Sequence, residues 1–279
     1  MPYESPVASD RSTALRRGVL FIVATSPIWL VPKSIPVFHP VAMLGILIGA
    51  TLLFLWWDKR SPSELGLELS WRPLANLLGG LVGGTLLILV IAVLLHAILP
   101  FEWTWNTTFL WRLVATGLVF QLLLAGVEEL LFRGYSFERL ISSIGLWPAQ
   151  LIVALLFAVY HLRNGYPWQV AFTGSVIGSL MFGLVFARTR SVLAATGFHA
   201  AANWAREVVL ADPPTMRTWF GPVAGRNWTD AERQTTAIVF NGVALVACAL
   251  LHWSIRRRNR SLASDAGAGT GRKERTLAK

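Results

Sequence analysis

The stretch LVFQLLLAGVEELLFRGYSF, residues 118–137, sets how the rest of the chain is interpreted. It is apolar over the length of a membrane-spanning helix, yet Glu128 and Glu129 stand side by side within it and Arg133 follows four residues later. A charged residue at the centre of a spanning helix costs about 2.5–3.5 kcal/mol on insertion scales, and such residues are usually functional. The stretch therefore predicts a functional site inside a membrane helix.

The composition of the whole chain is that of a membrane protein, with 54% hydrophobic and only 14% charged residues. A helix needs about 20 apolar residues to cross the hydrocarbon layer. We expect such helices at about 18–31, 39–57, 76–99, 108–131, 148–163, 168–187, 191–209 and 236–254. The predicted fold is an all-α, polytopic membrane bundle of about eight transmembrane helices, with the active site inside the bundle.

The basic residues predict the orientation of this bundle. Most of the 25 Lys and Arg residues flank the runs on the side that also holds both termini, which the positive-inside rule makes cytoplasmic. We expect a multi-pass protein of the plasma membrane, with a cytoplasmic segment 1–17, a transmembrane domain 18–255 and a disordered, basic cytoplasmic tail 256–279. Because the positive charge is explained by topology, no nucleic-acid partner is expected.

Two later apolar runs carry further polar residues. His161 lies in VALLFAVYHL, residues 153–162, and His199 and Asn203 lie in GFHAAANW, residues 197–204. His199 and Asn203 are four residues apart, so they share a helix face. Glu128 and His161 lie almost equally far from Gly145 along the sequence. An antiparallel hairpin turning at Gly145 would bring them to one height, provided that the fourth helix continues past Phe132 to about Ser142.

These residue types suit peptide hydrolysis, which needs an activated water, a donor for the developing oxyanion and a proton for the leaving amine. Glu128 in a site of low dielectric is the predicted general base. His161, on the facing helix, would position the water or share its proton. His199 and Asn203 would donate hydrogen bonds to the oxyanion.

Three further residues are expected to support the catalytic ones. Glu129 and Arg133 are four residues apart and can form an ion pair along one helix face, although such a pair alone could be purely structural. Phe157 shares a helix face with His161. The predicted site therefore consists of the catalytic residues Glu128, His161, His199 and Asn203, and of the supporting residues Glu129, Arg133 and Phe157.

The order of these motifs resembles a known family. The patterns E-E-x-x-x-R (Glu128, Glu129, Arg133), F-x-x-x-H (Phe157, His161) and H-x-x-x-N (His199, Asn203) are similar to those of the CPBP family. This family comprises the CAAX prenyl protease and bacteriocin-processing enzymes, also called type II CAAX prenyl endopeptidases or Abi proteins. The resemblance covers about residues 110–210.

The resemblance implies an eight-helix intramembrane endopeptidase whose site opens to the cytosol. It also implies that the first glutamate and the two histidines are essential. Its expected partners are the lipid bilayer and a membrane-associated substrate, either a prenylated CAAX-type protein or a leader peptide.

The need for a cofactor stays open at this stage. Members of the family are often labelled metalloproteases, and Glu128, His161 and His199 would give zinc three ligands and an open fourth position. The chain lacks the HExxH motif, however. We therefore favour a metal-independent glutamate mechanism without a cofactor, with zinc as the alternative.

Two non-enzymatic functions fit the same helical bundle. A small proton-coupled transporter could use Glu128 and His161 as a relay, and it would be expected to show an inverted repeat or paired broken helices. No repeat is detectable in the sequence. A scaffold or immunity protein would be expected to have lost one of the residues Glu128, His161 or His199, and all three are present.

Overall fold

The structure is a computed structural model that describes residues 8–30, 38–99, 101–103, 111–210, 220–222 and 229–277. The helices are α1 Ala8–Thr25, α2 Phe38–Trp57, α3 Arg72–Ile98, α4 Trp111–Arg133, α5 Tyr135–Ile144, α6 Leu146–Arg163, α7 Trp168–Val170, α8 Val176–Thr189, α9 Val192–Leu210 and α10 Asp230–Leu277. Short 3₁₀ turns lie at Ser26–Leu30 and Pro62–Leu65, and a π-helical turn at Ala171–Ser175 joins α7 to α8. Strand β1, Phe101–Trp103, pairs antiparallel with β2, Phe220–Pro222.

The predicted helical membrane bundle is confirmed. Within the described residues, six helices are long and apolar enough to cross a membrane: His39–Trp57, Arg72–Ile98, Val114–Ile144, Leu146–Arg163, Trp168–Thr189 and Asp230–Ser261. The predicted run 191–209 is helical, and so is the described part of the run 18–31, where α1 passes into a 3₁₀ turn, but neither is among these six. Helix α9 packs against α3, α4 and α8, so it meets protein on several sides and can carry polar residues. The orientation of the bundle and the choice of plasma membrane remain predictions.

Glycines bring α3 and α9 into very close contact. A methyl group at Gly80 would lie 2.2 Å from the backbone oxygen of Ala194, and one at Gly84 would lie 2.2 Å from that of Phe198. A methyl group at Gly197 on α9 would lie equally close to the backbone oxygen of Leu77. Small residues at such spacing allow membrane helices to approach backbone to backbone. This contact fixes the position of α9, which carries His199.

The sequence predicts that helix α4 continues unbroken to about Ser142, but the structure shows a break. Helix α4 ends at Arg133, and a new helix, α5, begins at Tyr135 and reaches Ile144. A side chain at Gly134 would place its Cβ 2.3 Å from the backbone oxygen of Leu130, so the interruption is built on a glycine. The predicted turn at Gly145 is present, because α6 begins at Leu146 and Gly145 has a φ of 87°. Helices α4 and α5 together therefore reach past Ser142, as expected, but the path is broken directly after Arg133.

Charged side chains tie α5 to its neighbours. Asp58 accepts a hydrogen bond from the hydroxyl of Tyr135 and pairs with Arg17 and Arg139, each at 3.5 Å. Glu138 pairs with Arg190 just before α9. These contacts join α1, the end of α2 and the start of α9 around α5. They lie on the side of the bundle that the sequence predicts to be cytoplasmic.

The two terminal segments are more helical than the composition predicts. Helix α1 begins at Ala8, within the segment 1–17 that we expected to precede the membrane domain. Helix α10 continues to Leu277, where the composition predicts a disordered tail from residue 256. Extending an existing helix adds one hydrogen bond per residue without a new nucleation step, which explains how a polar tail can follow a membrane helix in helical form. The proposed domain boundaries remain predictions.

Candidate active site

The imidazole of His199 lies between the two adjacent glutamates. Its Nδ1 is 2.8 Å from Oε1 of Glu129, and its Nε2 is 3.7 Å from Oε2 of Glu128. Successive side chains on a helix point about 100° apart. The neighbouring carboxylates on α4 can therefore reach opposite edges of one ring on α9.

Glu129 and Arg133 form the expected ion pair, and both side chains are completely buried. Nη1 of Arg133 donates to Oε1 of Glu129 at 3.1 Å, and this is the same oxygen that contacts His199. An ionised carboxylate can only accept hydrogen bonds. Nδ1 of His199 therefore carries the proton in this contact, and in the neutral ring the lone pair of Nε2 faces Glu128.

His161 is held in the same tautomer by a different partner. Its Nδ1 lies 2.9 Å from the backbone oxygen of Phe157, which can only accept, so Nδ1 carries the proton. The half-buried ring packs on the rings of Phe157 and Tyr166, at 4.3 and 4.8 Å between centres. His161 also interacts electrostatically with Glu128. Both histidines thus keep Nε2 free for a water or a substrate.

Phe157 lies at the centre of the site and supports its buried cation. The guanidinium carbon of Arg133 is 4.6 Å from the centre of the Phe157 ring. The same ring is 6.1 Å from that of His199 and contacts His161. An aromatic face attracts a cation, and the attraction is stronger where water is excluded. Phe157 therefore helps to stabilise Arg133 and lies beside the rings of both histidines.

Asn203 lies one turn beyond His199 on α9 and is half-buried. Within the described part of the chain, the Asn203 side chain makes no hydrogen bond to a neighbouring group. The structure brings Glu128, Glu129, Arg133 and His199 into direct contact and places Phe157 and His161 beside them. It does not bring Asn203 into that network, so a role of Asn203 in binding an oxyanion remains a prediction.

Glu128 is the least satisfied group of the site. Among the described residues its Oε2 is buried without a hydrogen-bond partner, as is Oε2 of Glu129, but the Glu128 side chain makes no other hydrogen bond and is 16% exposed. At 3.7 Å, the contact with His199 is longer than a hydrogen bond. A water about 2.8 Å from each of these two atoms, as the third corner of a triangle, would satisfy both of them. A buried carboxylate oxygen without a partner needs an explanation, and a bound reactant water provides one.

Two residues of α8 complete the site, and no pattern in the sequence indicated them. Ser179 accepts hydrogen bonds from Nη2 of Arg133 through both its backbone oxygen, at 3.0 Å, and its hydroxyl. Phe182 stacks on His199 with 4.1 Å between ring centres and 18° between planes. Serine and phenylalanine are common in membrane helices and belong to none of the three motifs. Only the three-dimensional packing reveals them.

A second polar contact links α4 and α9 further along. Nε2 of Gln121 donates to Oε1 of Glu207 at 2.7 Å. Gln121 lies seven residues before Glu128, hence on nearly the same helix face. That spacing could have identified Gln121 from the sequence. The contact is of the kind that holds membrane helices together, and it keeps α4 and α9 aligned next to the site.

The side chains do not form a recognisable metal centre. Among the residues that the structure describes, no three His, Cys, Asp or Glu side chains are placed to hold a metal ion. Nδ1 of His199 is occupied by Glu129, and Oε1 of Glu129 is shared with Arg133. Nε2 of both histidines and the carboxylate of Glu128 remain as donors, but the described residues do not place these three as one ligand set, so they do not fit the zinc site that the family label suggests.

The comparisons with known proteins point to one family. Residues 107–205 match the family model described as type II CAAX prenyl endopeptidase Rce1-like. No curated protein matches the chain. The matched range contains all three motifs, the whole of α4 and most of α9. Residues 107–205 are therefore similar to the Rce1-like type II CAAX prenyl endopeptidases, a family of membrane proteases.

Proposed function

We propose that this protein is an intramembrane endopeptidase that hydrolyses a peptide bond near the C-terminus of prenylated, CAAX-type membrane proteins. The observation that carries the proposal is the unpartnered Oε2 of Glu128, 3.7 Å from Nε2 of His199, within the segment that matches the family. Substrate identity rests on the family match, and catalysis rests on the geometry.

Glu128 acts as the general base in this proposal. A water bound between Glu128 and His199 gives a proton to Glu128 while its oxygen attacks the carbonyl carbon of the scissile bond. His161, with Nε2 free, holds the water in line. The tetrahedral intermediate then collapses, the C–N bond breaks, and the proton returns from Glu128 to the leaving amine.

His199 can stabilise the oxyanion only in its charged form. Its Nδ1 proton already goes to Glu129, so Nε2 is a donor only when the ring is an imidazolium. The site contains two carboxylates and one guanidinium, so an imidazolium at His199 would bring the formal charge of these four side chains to zero. Asn203, one turn away, is the proposed second donor to the oxyanion.

The supporting residues keep this geometry fixed. Arg133 and Glu129 are both buried and compensate each other's charge, and Glu129 in turn fixes the tautomer of His199. This arrangement resembles the role of the aspartate in a Ser-His-Asp triad, where a buried carboxylate orients an imidazole. The carboxylate of Glu129 does not itself take part in making or breaking bonds.

The test is hydrolysis by the purified chain reconstituted in liposomes. One substrate is a peptide whose cysteine near the C-terminus carries a farnesyl thioether, and the other is the same peptide without the lipid. We expect the farnesylated peptide to be cleaved, and the new carboxylate to contain one oxygen from ¹⁸O-labelled water. Equal cleavage of both peptides would remove prenyl recognition from the proposal. Cleavage of neither by a correctly folded sample would favour a scaffold or a transporter.

A further inference from the structure

Helix α8 lies against α6 and α9 and places two uncharged side chains in the site. Ser179 and Phe182 are three residues apart and share a helix face, and both are buried. Each contacts a different part of the network around His199. Ser179 reaches Arg133, and Phe182 reaches His199 itself.

Ser179 fixes the end of the guanidinium that Glu129 does not hold. Nη1 of Arg133 donates to Glu129, whereas Nη2 donates twice to Ser179. Among the described residues, no group bonds to the buried Nε of Arg133. Ser179 and Glu129 therefore determine the orientation of Arg133, and through it the position of the carboxylate that bonds to His199.

Phe182 controls a motion that Glu129 leaves free. A single hydrogen bond at Nδ1 allows the imidazole plane to tilt about the bond. Stacking on Phe182, with only 18° between the planes, prevents this tilt. The same phenyl ring lies 5.5 Å from the guanidinium carbon of Arg133, so it also contacts the buried cation. The direction of Nε2 toward Glu128 thus depends on Phe182.

We propose that Ser179 and Phe182 are positioning residues of the catalytic site. Ser179 acts through Arg133 and Glu129, and Phe182 acts by stacking, so that Nε2 of His199 faces Glu128. This inference rests on the proposed peptidase function. Neither residue touches the reacting atoms, and both belong to a helix outside the three sequence motifs.

The main experiment compares Phe182→Leu with Phe186→Leu. Phe186 lies one turn further along α8, is fully buried, and packs on Phe137 instead of the site. Both substitutions remove an aromatic ring from the same helix, so both should lower the melting temperature. We expect only Phe182→Leu to lower kcat, by about 10- to 100-fold, because small misplacements of a catalytic group have effects of this size. KM should change little, and Phe182→Tyr should restore most of kcat.

Ser179→Ala tests the proposed role of Ser179, and Ser175→Ala, on the preceding turn, is its control. The hydroxyl acceptor is lost, but the backbone oxygen of Ser179 remains, so the fall in kcat should be smaller than for Phe182→Leu. Equal losses of activity in each variant and its control, in proportion to the folded fraction, would overturn the proposal. They would show that α8 contributes packing alone.

A second readout does not depend on activity. In ¹⁵N-histidine NMR, the His199 signal can be assigned by its loss in His199→Asn. We expect one sharp Nε2 signal in wild type and in Phe186→Leu, and a shifted or broadened Nε2 signal in Phe182→Leu, because the ring plane is then no longer held in one orientation toward Glu128. If the chain cleaves no peptide but these spectra differ as expected, the positioning holds and the peptidase function fails. Identical spectra in all three samples would overturn the positioning itself.

Discussion

Oε1 of Glu129 is shared by two partners: Nη1 of Arg133 at 3.1 Å and Nδ1 of His199 at 2.8 Å. The carboxylate therefore links a buried cation on its own helix to the imidazole of a distant one. The sequence predicts the first contact from the spacing of four residues. The second contact gives Glu129 a further role, because loss of the Glu129 carboxylate would affect both the charge balance of the site and the tautomer of His199.

Glu129→Gln should lower kcat by about 10²- to 10⁴-fold while the protein still folds. The amide can donate to Nδ1 of His199 and thereby favour the wrong tautomer, as in the corresponding change of a catalytic triad. The measurement is kcat and KM for a cleaved peptide, together with the melting temperature. Activity within a few-fold of wild type would mean that Glu129 serves only to pair with Arg133.

Breaking the Glu129–Arg133 pair should strongly destabilise the bundle. Removal of one partner from a buried pair leaves an uncompensated charge and commonly costs about 3–5 kcal/mol. A double-mutant cycle with Glu129→Ala and Arg133→Ala should therefore show partial recovery of the melting temperature in the double variant. Additive losses without recovery would mean that the two charges do not compensate each other.

The control for this cycle is a pair with the same spacing at the surface. Arg60 and Glu64 lie four residues apart with a contact of 2.9 Å, and each side chain is 33% exposed. A coupling of about 0.5 kcal/mol or less is expected for such an exposed pair. A surface coupling as large as that of the buried pair would indicate that burial is not the cause.

The tight contact between α3 and α9 predicts opposite effects for two neighbouring glycines. Gly80→Ala places a methyl group 2.2 Å from the backbone of α9, whereas nothing lies within 4 Å of a methyl group at Gly79. Overpacking of this kind costs about 1–3 kcal/mol or more, so Gly80→Ala should lower the melting temperature. Gly79→Ala should leave it unchanged or raise it slightly, because alanine favours helix. Equal effects of the two changes would contradict the close approach.

Metal dependence can be measured directly. We expect the purified, active protein to contain zinc at well below one atom per chain, and its activity to survive dialysis against a chelator. The expectation rests on the placement of the donors, since no three of the described His, Cys, Asp and Glu side chains are positioned to hold one metal ion. One zinc per chain, lost together with activity and restored by added zinc, would establish the alternative ligand set of Glu128, His161 and His199.

The residues that come together were largely predictable, because ionisable groups are rare in apolar helices and those present have few alternatives to meeting one another. Glu128, Glu129, Arg133 and His199 illustrate this, and the family recognised from their motifs is confirmed over residues 107–205. Their catalytic roles remain predictions.

Other features depend on atomic geometry that periodicity does not contain. The break at Gly134 arises from the path of the backbone after Arg133, and no pattern of apolar residues distinguishes it from a continuous helix. The two partners of His199 depend on the rotation of α9 against α4, which close glycine contacts with α3 determine. Ser179 and Phe182 carry no charge, so no electrostatic argument could have selected them.

The most direct measurement of the central claim is the cleavage rate of the Glu128→Gln variant in liposomes, compared with wild type and with Glu64→Gln. Glutamine keeps the shape of the side chain but cannot accept the proton of the attacking water, whereas Glu64 lies at the surface beside Arg60. We predict that Glu128→Gln folds with an unchanged melting temperature, binds the farnesylated peptide and releases no product, while Glu64→Gln cleaves at the wild-type rate. Turnover by Glu128→Gln close to that of wild type would contradict the account, because the base would then lie elsewhere.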